Sequence, residues 1–225
     1  MKNVGFRIYS KVQKPDPELV EAFRHIAVAN IADCMNRAAC IDSGIRPMND
    51  QPLLGTAFTV KTRNTDNLLL NKAIDMAKPG DVIVVDVQGD TTHAVIGELM
   101  ILWAKQRGLA GIIVDGAIRD AAAIKGMDIA VYAAGVTPNG PYKDGPGEIN
   151  VPISCGNAVI KPGDILVGDA DGIVVIDPQD AAEVLAKAKA TADKEVNILE
   201  DIKRNAWDRT WIDKALKEKD CEFID

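Results

Sequence analysis

The chain has 225 residues, 47% of them hydrophobic and 26% charged, with a formal charge of −7 at pH 7. This composition is that of a globular protein able to bury a sizeable core, and it excludes intrinsic disorder. The acidic balance and the 4% aromatic content argue against nucleic acid as a partner. No apolar run reaches the roughly 18 to 20 residues of a membrane-spanning helix, and the polar segment 1–14 lacks the core of a signal peptide. A cytoplasmic protein with no membrane partner is expected. Cys34, Cys40, Cys155 and Cys221 form no C-x-x-C pair, and with His25 and His93 they give no zinc-ligand spacing.

In chain order, helical spacing over Pro15 to Arg37 predicts two short helices, with Leu19, Val20, Phe23 and Ile26 in the first and Ile31, Cys34 and Met35 in the second. Leu53 to Thr62 reads as a strand, and Asn64 to Ala77 as a helix capped by Asn64, Thr65 or Asp66. The near-continuous apolar run Asp81 to Val87 predicts a strand buried on both faces. A helix is then expected over His93 to Arg107, ended by Gly108. Gly111 to Val114 is the next strand, Arg119 to Lys125 a short helix, and Asp128 to Tyr132 another strand. This alternation favours parallel strands with loops gathered at their carboxyl ends.

Beyond a Gly/Pro-rich loop after Thr137, strands are expected at Ile149 to Ser154, Ala158 to Ile160, Ile165 to Gly168 and Gly172 to Ile176, in an antiparallel style. Lys-Pro-Gly-Asp occurs at 78–81 and again at 161–164, each time before an apolar strand; Pro and Gly at its centre suit a type II turn. Asp177 as cap and Pro178 in the first turn open a long charged helix running towards Arg204. The segment 1–50 reads as an N-terminal helical portion and 178–225 as a C-terminal helical extension of one domain.

Three places draw attention for chemistry. Backbone N–H groups at the helix start Gly97, Glu98, Leu99, Met100 suit a carboxylate, although every helix has such an end. Arg119 and Asp120 follow a strand at its carboxyl end, where open α/β sheets place ligands; alternatively Asp120 only caps the next helix and Arg119 makes a surface pair. Glu195 on the final helix is, by composition alone, an exposed charge. His93 and Cys155 have the chemistry of a base and a nucleophile but no recognisable partners.

The segments GDVIVVDVQGDTTHAVIGELMILWAKQRGLAGIIVDGAIRD, VYAAGVTP and GDILVGDADGIVVI resemble the regulator of ribonuclease activity A-like (RraA-like) proteins. The resemblance runs from about Phe23 to Ala190. That family includes the 4-hydroxy-4-methyl-2-oxoglutarate and 4-carboxy-4-hydroxy-2-oxoadipate aldolases. The aldolase branch carries an acidic residue, twenty intervening residues and then Arg-Asp, matched by Glu98, Arg119 and Asp120. The family's usual first residue is Asp, so Glu98 is one methylene longer. The ribonuclease-regulating branch is not expected to keep the Asp.

The resemblance implies an α/β fold, a β/β/α three-layer sandwich of the swivelling-domain type, with N-terminal helices and a long C-terminal helix. It implies a homotrimer or hexamer with sites between subunits. It also implies a lyase that cleaves a small 4-hydroxy-2-oxo dicarboxylic acid to pyruvate, and that decarboxylates oxaloacetate, with a divalent cation, Mg²⁺ or Mn²⁺. By motif, the backbone of Gly97 to Met100 would hold the substrate carboxylate, Arg119 the oxo acid end, and Asp120 the metal. Proton removal would fall to a metal-bound water held by Glu98, with Glu195 of an adjacent subunit as second holder. The alternative within the family is a non-catalytic protein that binds and regulates a ribonuclease. A methyltransferase reading lacks a glycine-rich loop after an early strand, and a Schiff-base aldolase lacks a lysine inside an apolar strand.

Overall fold

The β-branched runs of the sequence become strands and the 3.6-periodic segments helices, in a computed structural model that describes residues 3–224. The chain begins with β1 (Phe6–Ile8), α1 (Pro17–Glu21), α2 (Val28–Cys34), β2 (Arg46–Pro47) and β3 (Leu53–Thr62). Next come α3 (Leu68–Met76), β4 (Asp81–Asp86), β5 (Ala94–Ile96), α4 (Glu98–Gln106), β6 (Gly111–Ile118), α5 (Ala121–Ile124) and β7 (Ala130–Val136). The remainder is β8 (Gly147–Ile149), β9 (Ile153–Cys155), β10 (Ala158–Ile160), β11 (Ile165–Asp169), β12 (Gly172–Ile176), α6 (Ala181–Lys203) and α7 (Thr210–Glu218).

The main sheet runs β1-β8-β3-β4-β6-β7-β2, and its centre, β3-β4-β6-β7, is parallel as the strand–helix alternation predicts. The later strands pair antiparallel: β11 with β12 and β3, β9 with β10, and β8 with β3. Alternate residues of β4 serve two cores, which explains its unbroken apolar run. Ile83 and Val85 pack with Leu70, Ile74, Ile101 and Ile124 of the helical layer, while Val82 and Val84 pack with Ile153, Cys155 and Ile160 of the β9-β10 layer. The result is the expected three layers of helix, sheet and sheet. A third cluster joins Phe23 and Ile31 to Ile165, Val174 and Ile176, with Ala181, Val184 and Ala188 from the start of α6.

The two Lys-Pro-Gly-Asp copies fold alike. Gly80 has φ +84° and Gly163 φ +92°, as the third position of a type II turn requires. In each the Asp carboxylate also accepts the N–H of the Lys, Lys78 to Asp81 at 2.9 Å and Lys161 to Asp164 at 2.7 Å.

Several boundaries differ from expectation: β6 runs on to Ile118 rather than ending at Val114, and β7 is Ala130–Val136 rather than Asp128 to Tyr132. The helix expected from His93 begins only at Glu98, because Ala94–Ile96 first pairs as a short parallel strand with the far end of β6. The helix expected from Asn64 begins at Leu68, since Thr65 has φ +68° and Asp66 forms a bridge to Tyr142. The strand expected over Ile149 to Ser154 is divided into β8 and β9 at Asn150, which has φ +59°. α6 starts at Ala181 after a turn in which Asp177 accepts the N–H of Gln179.

The chain divides into two compact units, the first ending at Ala188 and the second starting at Lys189. The second unit holds the rest of α6 and α7 and leaves Val196, Leu199, Trp207 and Trp211 exposed. Among the described residues no helix is long and apolar enough to cross a membrane.

Candidate active site

Halfway along its length β6 changes neighbour. Up to Asp115 it pairs with β4; beyond it, Ala117 and Ile118 pair in parallel with Ala94 and Ile96 of β5, with an irregularity between the two pairs. Two parallel strands that end side by side place the residues after them side by side. Gly97 and Glu98 therefore lie against Arg119 and Asp120, and the N–H of Arg119 donates to the carbonyl of Ile96 at 3.0 Å.

Asp120 occupies the N-cap position of α5 but makes no side-chain cap there. Its Oδ2 instead accepts the N–H of Glu98, the first residue of α4, at 3.0 Å. The backbone of Asp120 is left-handed, φ 61° and ψ 33°, a conformation that costs most side chains free energy and that Asp tolerates better than most. Arg119 Nε lies 3.6 Å from the same carboxylate oxygen, and both side chains remain partly open to solvent. This charge pair is too exposed to contribute much to stability.

Gly97 is buried, and a Cβ there would sit 2.4 Å from Asp120 Oδ2 and 2.8 Å from Arg119 Cγ. Its backbone is extended, so contact rather than conformation demands glycine. The opposing wall is the loop after β7, where a Cβ on Gly140 would meet the Arg119 guanidinium at 3.3 Å. Asn139 anchors that loop: its carbonyl accepts the N–H of Ala94 at 2.9 Å, and its side-chain amide donates to the carbonyl of Thr92 at 3.0 Å. Asp66, fully buried, holds the far side of the loop by accepting the N–H groups of Asp144 (2.6 Å) and Gly145 (2.9 Å) while also accepting that of Leu68 (2.9 Å).

The structure thus brings together Gly97, Glu98, Arg119 and Asp120. The helix-start N–H groups of Leu99 and Met100 have no acceptor within α4, whereas that of Glu98 is engaged by Asp120. The Leu99 side chain is 80% exposed, and Met100 is partly buried against the helical core. Glu195 is an exposed residue of the second unit. His93 lies on the loop before β5, its Nδ1 3.0 Å from Thr92 Oγ1 and its ring 5.7 Å from that of Tyr142. Cys155 is buried, and burial together with Asp115 and Asp86 pushes its thiol well above the usual range, the setting of a packed core thiol. Sequence reasoning missed the anchors Asp66, Asn139 and Gly140, because their roles depend on contacts across the fold. The loop's Gly/Pro density is the only signal for Asn139 and Gly140, whereas Asp66 is legible as a helix cap, which it is in accepting the Leu68 N–H, but not as an anchor of the loop.

A divalent cation fits Asp120 as a hard oxygen donor reachable from solvent. No group of three or more His, Cys, Asp or Glu side chains stands ready to cage a metal among the described residues. The donor set suits Mg²⁺, which takes one or two protein carboxylates and completes its shell with water and substrate oxygens.

A family model described as "RraA-like: Aldolase/RraA" matches residues 28–175. A protein of Halalkalibacterium halodurans named "Putative 4-hydroxy-4-methyl-2-oxoglutarate aldolase" is 43% identical over 173 residues, 76% of this chain and 82% of that protein. A crystal structure of an uncharacterised protein from Pseudomonas syringae superposes with a TM-score of 0.78 at 26% identity, covering 86% of this chain and 92% of that one. Streptomyces coelicolor RraAS2, described as an unusual member of the RNase ES inhibitor family, superposes with a TM-score of 0.74 at 27% identity, covering 82% and 97%.

Proposed function

Since the chain belongs to the RraA-like family, we propose that it is a divalent-metal-dependent lyase that cleaves a 4-hydroxy-2-oxo dicarboxylic acid of the 4-hydroxy-4-methyl-2-oxoglutarate type to pyruvate and a second oxo acid. The observation that carries this reading is the Asp120 carboxylate turned away from its own helix to the start of α4, with Arg119 beside it.

In this reading the N–H groups of Leu99 and Met100 bind the distal carboxylate of the substrate. The Arg119 guanidinium binds the oxo acid end and meets the negative charge that develops on the keto oxygen as the C3–C4 bond breaks. Asp120 holds the cation, Mg²⁺ or Mn²⁺, which when bound supplies Lewis-acid polarisation of the oxo acid. Glu98 holds a water that takes the proton of the C4 hydroxyl, so that C4 becomes a carbonyl while the bonding pair passes to the enolate of pyruvate, later protonated at C3. Glu195 of an adjacent subunit is the second holder. Decarboxylation of oxaloacetate leaves the same enolate, with CO₂ as the departing group; it needs Arg119 and the cation at Asp120 but no base, since there is no C4 hydroxyl proton to remove.

The stripe of Leu99, Leu102 and Trp103, exposed by 80%, 41% and 49% on one face of α4, adjoins the site. It supports assembly into a trimer or hexamer with the site at a subunit boundary.

The test is pyruvate release from 4-hydroxy-4-methyl-2-oxoglutarate and from oxaloacetate with Mg²⁺, with EDTA, and with Asp120→Ala. Activity abolished by both EDTA and the substitution is expected. Folded, assembled protein that releases no pyruvate from either substrate, but retains a ribonuclease in a pull-down, would replace this reading with the regulatory one.

A further inference from the structure

At the carboxyl ends of β4 and β6, on the face of the main sheet that carries the β9-β10 layer, there is a cavity of about 440 Å³. Its polar lining is Asp42, Asp86, Gln88, Asp115, Ser154 and Asn157, and no lysine, arginine or histidine surrounds it. Gly97, Glu98, Arg119 and Asp120 do not line it. A volume of this order accommodates a small organic molecule.

Asp86 and Asp115 are register partners on the two parallel strands, about 5 Å apart at the backbone. Each lies two residues beyond a side chain of the β9-β10 core, Val84 and Ile113, so both carboxylates fall on that face and line the cavity. Asp86 is 6% exposed and its Oδ1 accepts the Gln88 N–H at 3.0 Å. Its Oδ2 has no partner among the described residues, yet it is open to the cavity rather than sealed in protein. Asp115 is likewise held by one oxygen: Oδ2 accepts the Gly156 N–H at 3.2 Å, and Oδ1 is unpartnered among the described residues.

Two like charges this close, one of them more than nine-tenths buried, call for a counter-charge. The chain supplies none: Asp86, Asp115 and the exposed Asp42 make no ion pair among the described residues. Asp42 accepts only the Gly44 N–H at 2.7 Å and the Asn157 amide at 3.5 Å. Burial first, and Asp86 and Asp42 beyond it, raise the Asp115 pKa against a lowering by the Gly156 N–H. The acids are also spread out, for no three of them converge to cage a metal ion among the described residues. Spread carboxylates in a concave site suit separated cationic groups that carry N–H donors.

We propose that this cavity is a second ligand site, which takes a small aliphatic diamine: one ammonium bridges the free oxygens of Asp86 and Asp115, and the other meets Asp42. The site does not depend on the catalytic reading.

The probe is 1,4-diaminobutane, titrated calorimetrically into the full chain at low ionic strength. Asp86→Asn keeps the acceptor of the Gln88 N–H, Asp115→Asn keeps that of the Gly156 N–H, and both remove the charge. Ala134→Lys tethers an ammonium to a lining position of β7. Thermal melts verify that each variant is folded. The expected result is one saturable equivalent per chain in the wild type, weakened at least tenfold in all three variants. No saturable equivalent, or affinity unchanged in both asparagine variants, overturns the proposal and leaves the pair to share a proton. Loss in only one asparagine variant overturns the bridged pair, and displacement of the diamine by equimolar Mg²⁺ overturns the organic cation in favour of a metal. Unchanged affinity in folded Ala134→Lys places the diamine outside the cavity and overturns the site. The asparagine variants are near-isosteric, so they decide the question should Ala134→Lys not fold.

Discussion

Gly97 faces Asp120 so closely that the first carbon of any side chain at position 97 would lie 2.4 Å from the Asp120 carboxylate. Gly97→Ala must therefore displace Asp120, Arg119 or both. Its extended backbone accepts alanine, so the cost is one of overpacking, about 1–3 kcal/mol. Misplacing catalytic groups is the larger effect: kcat/KM for pyruvate release is expected to fall about 100-fold. Steady-state kinetics with a parallel thermal melt separate the two.

Asp120→Asn keeps an oxygen to accept the Glu98 N–H and a residue type that tolerates the left-handed backbone. Stability is expected to change by less than about 1 kcal/mol. What disappears is the negative charge, and with it Mg²⁺-dependent turnover. Retained activity in this variant would take the cation away from Asp120.

Asp66→Ala removes the acceptor of three backbone N–H groups at once, on α3 and on the loop that faces Arg119. Leaving those donors without the buried carboxylate is expected to cost about 3 kcal/mol or more, read as a lowered urea midpoint. KM should rise more than kcat falls, because Gly140 belongs to the same loop and borders the substrate-binding Arg119, where an added Cβ would lie 3.3 Å from the guanidinium.

Asp115 lies at the register shift of β6, and its pKa is raised by burial first and by Asp86 and Asp42 after that, against a lowering effect from the Gly156 N–H. A carboxyl whose folded pKa exceeds its unfolded value binds its proton more tightly in the native state. That stabilisation is complete below the unfolded pKa and is lost as pH rises through the folded one. At neutral pH the ionised carboxylate therefore weighs against folding. Asp115→Asn is expected to raise Tm at about pH 7, with the gain shrinking towards about pH 4. A gain that grows on acidification would contradict this.

Much of the fold is legible in the residues themselves. β3, β10 and β12 fall where β-branched runs and their flanking turns put them, and both Lys-Pro-Gly-Asp turns form as their Pro and Gly dictate. β5 is not legible, because Ala94, Val95 and Ile96 precede a helix and read as its first turn; only pairing with Ala117 and Ile118 makes them a strand. The candidate site shows the same division. Arg119 and Asp120 stand out by position after a strand, but the turn of Asp120 towards α4 follows from that tertiary pairing, as does the anchoring by Asp66 and Asn139.

The change of neighbour along β6 has a thermodynamic consequence. Because Ile96 and Ile118 are fixed in register, the groups that follow them are located by sheet hydrogen bonds before any ligand arrives. Less conformational entropy is then surrendered on binding than at a site assembled from loops. The ordering cost that remains falls on the short connection of Arg119 and Asp120 between β6 and α5 and on the Asn139–Gly140 wall, both outside helix and strand.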